Sequence, residues 1–363
     1  MQAVALPGES SPAASDTQQG EIIAMKPKVF VTQPIPEIAL DVLREAAEVS
    51  VYPYMDRQIS VDELVANAKR ADWLFVLHET NVTAEVIYAN PNLKGIGAMA
   101  SSDPLIDMEA ANACKIPVIL EDPKATFPGV APTTADLTMA MLLSLAYRLV
   151  EADRFTRCGK FRQEQTMALM GIGCPGKTVG LVGMGRLGEH MASRLRAFGM
   201  HAVYTKRNRL PAKREHELGL EWTPDLDDLI KRSDFLCLVC DYNPTTHKLI
   251  GRRELDLMKP EAYLINTARG RIVDEPELIR ALQEKRIAGA ALDVYWNEPP
   301  VTQDPLVPDE LCKLDNVILA PHNGGATWDI RGRKAASVAR SMVAMMRGER
   351  PMGLLNPEIY ASA

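Results

Sequence analysis

The chain has 363 residues, of which 47% are hydrophobic and 24% charged, and its formal net charge is −6 at pH 7. This length predicts two domains, because one hydrophobic core rarely organises more than about 300 residues. The negative charge argues against nucleic acid or a membrane surface as a partner. No apolar run reaches the roughly 18 residues that a membrane-spanning helix requires. The six cysteines have neither zinc-site nor disulfide-framework spacing, which favours the reducing cytoplasm, and no metal site is expected.

The first segment, residues 1–25, is rich in Ser, Ala, Gln, Gly and Pro and shows no periodicity. This composition predicts a disordered tail. The segment lacks the basic start and continuous apolar core of a secretion signal. Either Met1 or Met25 can be the start of the functional chain.

From residue 28 onward, short apolar runs alternate with helical patterns. Strands are expected at 29–32, 73–77, 95–99 and 117–120, with helices at about 38–47, 84–89 and 107–114. Alternation of this kind predicts βαβ units and a parallel sheet. A long helix is expected to follow over residues 133–158. We predict that residues 26–125 form a substrate domain.

A second βα series begins at Lys177. Its strand-like runs are TVGLVG, HAVYT, FLCLV, AYLIN, GAALDV and NVILA, and a final helix is expected at 328–347. These runs suffice for a complete dinucleotide-binding sheet, here assigned to residues 126–327. Residues 328–355 are expected to complete the substrate domain. The predicted fold is therefore α/β, with two Rossmann-like, doubly wound parallel-sheet domains and an active-site cleft between them.

Cys237 and Cys240 form a C-x-x-C pattern inside the apolar run that starts at Phe235. A redox pair needs a helix N-terminus or a similar positive environment to lower a thiol pKa. No helix start separates the two residues. We therefore expect them to pack in the core.

The sequence GMGRLG follows one of these strands and opens a helix, which is the context that a dinucleotide fingerprint requires. Gly183 permits a tight turn, Gly185 lets the backbone approach a pyrophosphate, and Gly188 allows the helix to pack closely on the strand. Arg186 and Leu187 lie in the same turn. The helix N-terminus offers unpaired N–H groups and partial positive charge to the phosphates.

The end of the next strand distinguishes NAD from NADP. An acidic residue there accepts a hydrogen bond from the ribose 2′-hydroxyl of NAD and repels a 2′-phosphate. This chain instead has Thr205, Lys206, Arg207 and Arg209, and no acid before Glu215. The pattern predicts NADP(H) as the preferred cofactor, with NAD(H) possible. The alternative is a solvated basic turn with no ligand.

Three further residues follow apolar strands and supply complementary chemistry. Arg269 follows LINTA and can grip a carboxylate or polarise a ketone oxygen. His322 follows NVILAP and can deliver a proton near neutral pH. Glu298, after GAALDV, can hold the imidazolium in its charged form. Together with the fingerprint, they predict hydride transfer to a small keto acid, with His322 as the proton donor.

These motifs are long enough to carry a resemblance. VGLVGMGRLGEHMA, LMKPEAYLINTARGRIVDEPELIRAL, GAALDVYWNEPP and NVILAPHNGGAT resemble the D-isomer-specific 2-hydroxyacid dehydrogenase family, and the likeness covers nearly everything after residue 28. The resemblance implies that Arg269 binds the substrate's carboxylate and carbonyl, that His322 is the general acid/base and that Glu298 supports it. It also implies a homodimer formed through the cofactor domains. Further cofactor contacts are expected at Asp241, Thr267, Ala268, Asp293, Gly324 and Gly325.

Within the family, the chain looks most like the NADPH-dependent glyoxylate/hydroxypyruvate reductases, which implies a D-2-hydroxy acid product. It departs from the family at AMASSDPLID, where a glycine-rich loop usually holds the substrate carboxylate. Ser101 and Ser102 are expected to take over that contact. Asn323 stands where an apolar residue is usual. Two alternatives remain: a reductase of a bulkier or atypical ketone, and a dinucleotide-sensing protein of the corepressor type. Formate oxidation is disfavoured, because formate dehydrogenases of this superfamily pair the histidine with glutamine.

Overall fold

A computed structural model describes residues 26–100, 104–122, 124–125, 129–163, 167–298 and 306–360. Its strands form two sheets, and every pair of neighbouring strands is parallel. The prediction of two parallel-sheet α/β domains is therefore confirmed. The strands are β1 (Lys28–Val31), β2 (Glu48–Val51), β3 (Trp73–Leu77), β4 (Gly95–Met99), β5 (Val118–Ile119), β6 (Thr178–Val182), β7 (His201–Thr205), β8 (Leu220–Trp222), β9 (Phe235–Leu238), β10 (Tyr263–Asn266), β11 (Gly289–Leu292) and β12 (Val317–Leu319).

Helices cover both sheets, and short 3-10 turns lie at Gly270–Ile272 and Pro357–Tyr360. Among the described residues, no helix is both long and apolar enough to cross a membrane. The helices are α1 (Glu37–Ala46), α2 (Val61–Ala68), α3 (Ala84–Tyr88), α4 (Met108–Ala113), α5 (Ala131–Ala146), α6 (Leu149–Arg157), α7 (Arg186–Ala197), α8 (Ala212–Leu218), α9 (Leu226–Arg232), α10 (Arg252–Leu257), α11 (Glu275–Gln283), α12 (Asp309–Cys312) and α13 (Trp328–Met346).

The first sheet has the strand order β2-β1-β3-β4-β5. The C-terminal helix α13 packs on one face of this sheet together with α1, in a core that includes Phe75 and Met342. Gly97 on β4 makes this packing possible, because a Cβ there would lie 2.3 Å from the sulfur of Met342. The chain therefore returns from the second sheet to complete the core of the first.

The second sheet has the strand order β12-β11-β10-β9-β6-β7-β8. Its central strand β9 is apolar without interruption and fully buried along its length, as expected for a parallel sheet covered on both faces. The strand order reverses between β6 and β9. Ligands of doubly wound sheets bind at the carboxyl ends of the strands beside such a reversal.

The single long helix expected over residues 133–158 is wrong. The structure has α5 and α6 instead, and the chain breaks between them at Arg148, whose φ is 51°. A left-handed residue cannot continue a right-handed helix, so the axis changes direction there. The helical pattern of apolar and charged residues continues across the break, so it did not indicate this change.

Three elements were not expected from the sequence. The strands β2 and β8 are short edge strands with partly exposed side chains, so they lack a strong apolar run. Helix α2 begins with a capping box, in which Ser60 and Glu63 satisfy each other's backbone N–H groups. The S-x-x-E spacing was the available signal for that helix start.

The two cysteines of the C-x-x-C pattern have the structural setting expected of them. Cys237 is fully buried in β9, and burial raises the pKa of its thiol to about 12. Burial also raises the pKa of Cys240 to about 11. Cys237 lies in the core as expected, and Cys240 is partly buried and packs against the core.

A candidate active site at the carboxyl edge of the second sheet

The predicted cofactor and catalytic residues of the second domain converge at one edge of its sheet. Each group follows the carboxyl end of a strand: the glycine motif follows β6, the basic turn β7, Asp241 β9, Arg269 β10, Glu298 β11 and His322 β12. Because the strands are parallel, these loops meet on the same side of the sheet. The structure thereby brings together residues spread over 140 positions of the sequence.

The turn from β6 to α7 has the form that a pyrophosphate requires. Gly183 has φ 101°, and a Cβ there would lie 2.6 Å from the backbone of Cys240, so glycine is needed. Gly185 precedes α7 and has open space within 4 Å of its Cβ position. It forms no side-chain cap, which leaves the N–H groups at the start of this helix free for a ligand. At Gly188, a Cβ would press on the sulfur of Met184 at 2.9 Å. These residues fit a dinucleotide.

The basic turn after β7 is anchored at its far end. Both Nε and Nη2 of Arg209 donate to the carboxylate of Glu215, at 2.9 and 2.8 Å. Thr205 anchors the near end, where its carbonyl accepts from Gly183 N at 3.0 Å. Between these anchors, Lys206 is half-buried and Arg207 is exposed.

His322 and Glu298 are in direct contact through Nδ1 and Oε1. The hydrogen bond to this carboxylate raises the pKa of His322 above its ordinary value, and burial acts in the opposite direction. The Glu298 side chain is only 13% exposed, whereas that of His322 is 45% exposed. The imidazole is therefore oriented through Nδ1 by a shielded carboxylate, and nearly half of its side chain remains exposed.

The backbone around His322 is held by Asp293, a buried carboxylate at the end of β11. Its two oxygens accept from Asn323 N at 2.6 Å and from Gly324 N at 2.9 Å. Burial raises the pKa of Asp293, and these two hydrogen bonds counteract that effect. His322 itself has φ 53°, an uncommon conformation for a non-glycine residue. The bonds to Asp293 stabilise the loop in this strained shape.

Arg269 is exposed at the end of the β10 loop, and its backbone is fixed there. Its carbonyl accepts from Asn266 Nδ2 at 3.0 Å, and Nη1 donates to the carbonyl of Ala268 at 2.7 Å. Its positive charge is one of those that act on His322. The guanidinium and the imidazole therefore share one site.

The other predicted cofactor residues occupy the same edge in different ways. Thr267 is buried, and its hydroxyl pairs with that of Thr138 at 2.8 Å. Gly324 packs on Thr134, 2.8 Å from the position of a Cβ, and Gly325 lies beside Val130. Asp241 is exposed, and its carbonyl accepts from Thr246 Oγ1 at 2.8 Å.

His78 was missed in the sequence. It lies at the carboxyl end of β3 in the first domain, in a turn where Thr80 Oγ1 accepts from Leu77 N at 3.3 Å. Burial lowers the pKa of its imidazole, the charge of Glu79 raises it, and the charges of Arg269 and His322 lower it. His78 is an exposed imidazole of the first domain, near enough to Arg269 and His322 for their charges to act on it. The polar run HET at the end of a buried strand was the available signal.

The predicted substrate contacts Ser101 and Ser102, together with the predicted tail 1–25, lie outside the described residues. The neighbouring Pro104 is half-buried, and its carbonyl accepts from Ile106 N at 2.8 Å. The substrate role of the two serines stays a prediction from the sequence.

Comparison with known proteins decides the family. Residues 139–324 match the family model described as D-isomer specific 2-hydroxyacid dehydrogenase, NAD binding domain. A glyoxylate reductase of Thermococcus gammatolerans is 40% identical over 340 residues, which are 92% of this chain and 97% of that protein. The chain belongs to the D-isomer specific 2-hydroxyacid dehydrogenase family. It is an NAD(P)-dependent enzyme that uses a nicotinamide dinucleotide.

Solved structures agree with the fold. A structure from Thermus thermophilus has a TM-score of 0.75 and 34% identity, and the match covers 90% of this dehydrogenase and 99% of that chain. An NADPH-dependent glyoxylate/hydroxypyruvate reductase from Sinorhizobium meliloti has a TM-score of 0.69 and 27% identity, with 91% and 98% covered. The resemblance seen in the sequence motifs, including the glyoxylate/hydroxypyruvate reductase branch, is therefore confirmed.

Proposed function

We propose that this dehydrogenase reduces a small 2-keto acid of the glyoxylate or hydroxypyruvate type with NADPH, giving a D-2-hydroxy acid, and that His322 is the proton donor. The observation that carries the proposal is the His322–Glu298 contact beside Arg269, at the edge of the nucleotide-binding sheet. The relatives named as glyoxylate reductases support the substrate class.

The residues have complementary tasks in this reaction. Arg269 grips the substrate carboxylate and polarises the carbonyl with its planar fork of donors. His322 gives a proton to the carbonyl oxygen through Nε2, while Glu298 stabilises the imidazolium before transfer. NADPH, when bound, supplies the hydride to the carbonyl carbon and leaves as NADP⁺. Asp293 keeps the His322 loop in place through its two backbone contacts.

A panel of keto acids tests the proposal directly. The decay of NADPH or NADH absorbance is followed with glyoxylate, hydroxypyruvate, pyruvate and phenylpyruvate. Turnover of the first two with NADPH supports the proposal. Preference for phenylpyruvate identifies the bulkier-ketone alternative, which the AMASSDPLID departure motivates. Binding of NADPH without turnover of any substrate identifies a dinucleotide sensor.

We expect Arg207→Asp to shift the cofactor preference from NADPH toward NADH. Arg207 lies in the exposed part of the basic turn, where an acid repels a 2′-phosphate and accepts from a 2′-hydroxyl. Loss of a charge-assisted contact costs about 1.5–3 kcal/mol, or roughly 10- to 150-fold in the ratio of kcat/KM values. Lys213→Asp makes the same charge change on the exposed side of α8 and is the control. An unchanged ratio in the Arg207 variant means that the turn is only a solvated surface.

Glu298→Gln is expected to move the pH profile of reduction. The Glu298 carboxylate raises the pKa of His322, and reduction needs the protonated imidazole, so kcat/KM falls as the pH rises through that pKa. Removing the charge lowers the pKa, and the alkaline limb moves to lower pH. Oxidation of the hydroxy acid needs the neutral imidazole and gains over the same interval. Superimposable profiles of the two proteins would mean that a group other than Glu298 stabilises the protonated form of His322.

We further propose a homodimer formed through the cofactor domain. Large apolar side chains are exposed around α6 and the segment that follows it, namely Tyr147, Leu149, Phe161, Met167 and Met170. Exposed apolar clusters of this kind mark protein interfaces. Sedimentation at micromolar concentration tests the dimer.

The six cysteines are all free, which supports a reducing compartment such as the cytoplasm.

A further inference from the structure

Arg209 is held on one edge by a buried carboxylate. Glu215 is 6% exposed, and it also accepts from the hydroxyl of the fully buried Tyr204 at 2.6 Å. The same hydroxyl accepts from Leu210 N at 2.9 Å. The hydrogen bond from Arg209 lowers the pKa of Glu215, which keeps this carboxylate charged. The position of Arg209 is therefore determined by a network that includes the strand β7 itself.

In this network, the N–H donors and the positive charge that let an arginine bind phosphate are already engaged by Glu215. The fork formed by Nε and Nη2 is occupied by Glu215. The adjacent negative charge also neutralises much of the guanidinium's attraction for an anion. Lys206 and Arg207 lie between the two anchors of the turn, so they are better placed for a 2′-phosphate.

The flat surface of Arg209 remains open on one side. One face lies over the ring of Trp222, with Cζ 4.9 Å from the ring centroid. The side chain is nevertheless 54% exposed. The turn that carries Arg209 follows β7, which lies between β8, the strand of Trp222, and β6, the strand that leads into the glycine motif. In this kind of sheet, the adenosine half of a dinucleotide lies over the carboxyl end of the strand that follows the glycine motif, which is β7 here.

We propose that Arg209 is a stacking platform for the adenine ring, and that the contacts to a 2′-phosphate come from Lys206 and Arg207. A planar guanidinium stacks well on aromatic rings, and Trp222 and Glu215 hold its plane in a fixed orientation. Adenine is common to NADPH and NADH, so Arg209 contributes to the binding of both. This inference rests on the proposed cofactor preference only for the role given to Lys206 and Arg207.

Affinities of the full-length protein for NADPH and NADH, measured by calorimetry, test the proposal with Arg209→Ala and Arg207→Ala as a matched pair. Stacking of a base on a side chain is worth about 1–3 kcal/mol, so Arg209→Ala should weaken both cofactors by a similar factor of about 5- to 150-fold. Arg207→Ala should weaken NADPH alone. A loss confined to NADPH in the Arg209 variant, or no loss, overturns the platform.

Two further variants separate stacking from charge and from folding. Arg209→Lys keeps the charge and lacks the plane, so it should bind both cofactors as weakly as Arg209→Ala, whereas full recovery overturns the proposal. Arg209→Tyr supplies a plane without charge and should recover part of the affinity, whereas binding no better than alanine contradicts stacking. If the wild-type protein shows no preference for NADPH, the proposed cofactor choice fails, and the Arg209 comparison is still decided with NADH.

Discussion

His322→Ala is expected to lower kcat for keto-acid reduction by about 10²–10⁴, the usual contribution of a positioned general acid. The imidazole contacts Glu298 through Nδ1, so Nε2 is the ring nitrogen left to donate to a substrate. The fingerprint glycines lie at a different part of the sheet edge, so the affinity for the cofactor should change little. Steady-state kinetics and cofactor titration of the same preparation measure both effects.

Arg269→Ala is the matched comparison for this variant. Its guanidinium binds the substrate carboxylate in the ground state as well as in the transition state, so KM should rise while kcat falls. Similar, mild effects of the two substitutions on kcat and KM would contradict the roles proposed for both residues.

Gly270→Ala is expected to destabilise the protein and to impair catalysis from outside the substrate contacts. A Cβ at Gly270 would lie 1.9 Å from the carbonyl oxygen of Tyr295 and 2.6 Å from Trp296 N. Both are backbone atoms that cannot rotate away. Insertion of atoms into a packed region costs about 1–3 kcal/mol, and thermal denaturation should show the loss.

The expected loss of catalysis follows from the two loops that the added Cβ would push apart, which carry Arg269 and Glu298. Gly270 directly follows Arg269, and Tyr295 donates its N–H to Glu298 Oε2 at 3.3 Å. Displacement by about 1 Å at such a site can cost about 10²-fold in rate. Gly173→Ala is the control, because its Cβ position has nothing within 4 Å, and a surface change of this kind should stay within about 0.5 kcal/mol. Wild-type Tm and kcat in the Gly270 variant would show that these loops are free to move apart.

The sequence was most informative where a local pattern has one structural solution. Strands β9 and β11 are buried along their whole length, so their composition alone marks them. The glycines of the β6–α7 turn are required for steric reasons, as the close approach of Cys240 to Gly183 shows. Edge elements such as β2 and β8 have no comparable requirement, and they were not found.

Position at the strand ends also made the candidate catalytic residues visible. Arg269, Glu298 and His322 each come after an apolar strand, and parallel strands must deliver such residues to one edge. The role of each residue remains a proposal, because it depends on a ligand and on chemistry. Their meeting at one edge required only the order and direction of the strands.

The sequence by itself determined the α/β class, the dinucleotide turn and the edge at which the polar residues gather, because hydrophobic period and glycine sterics act over a few neighbouring residues. Only the tertiary structure decided which partner each polar side chain takes. Glu215 pairs with Arg209, and Thr138 pairs with Thr267. His78 comes from the loop after a strand of the first sheet. These choices depend on packing between segments distant in the chain, where a buried polar group bonds to whichever partner the fold brings within reach.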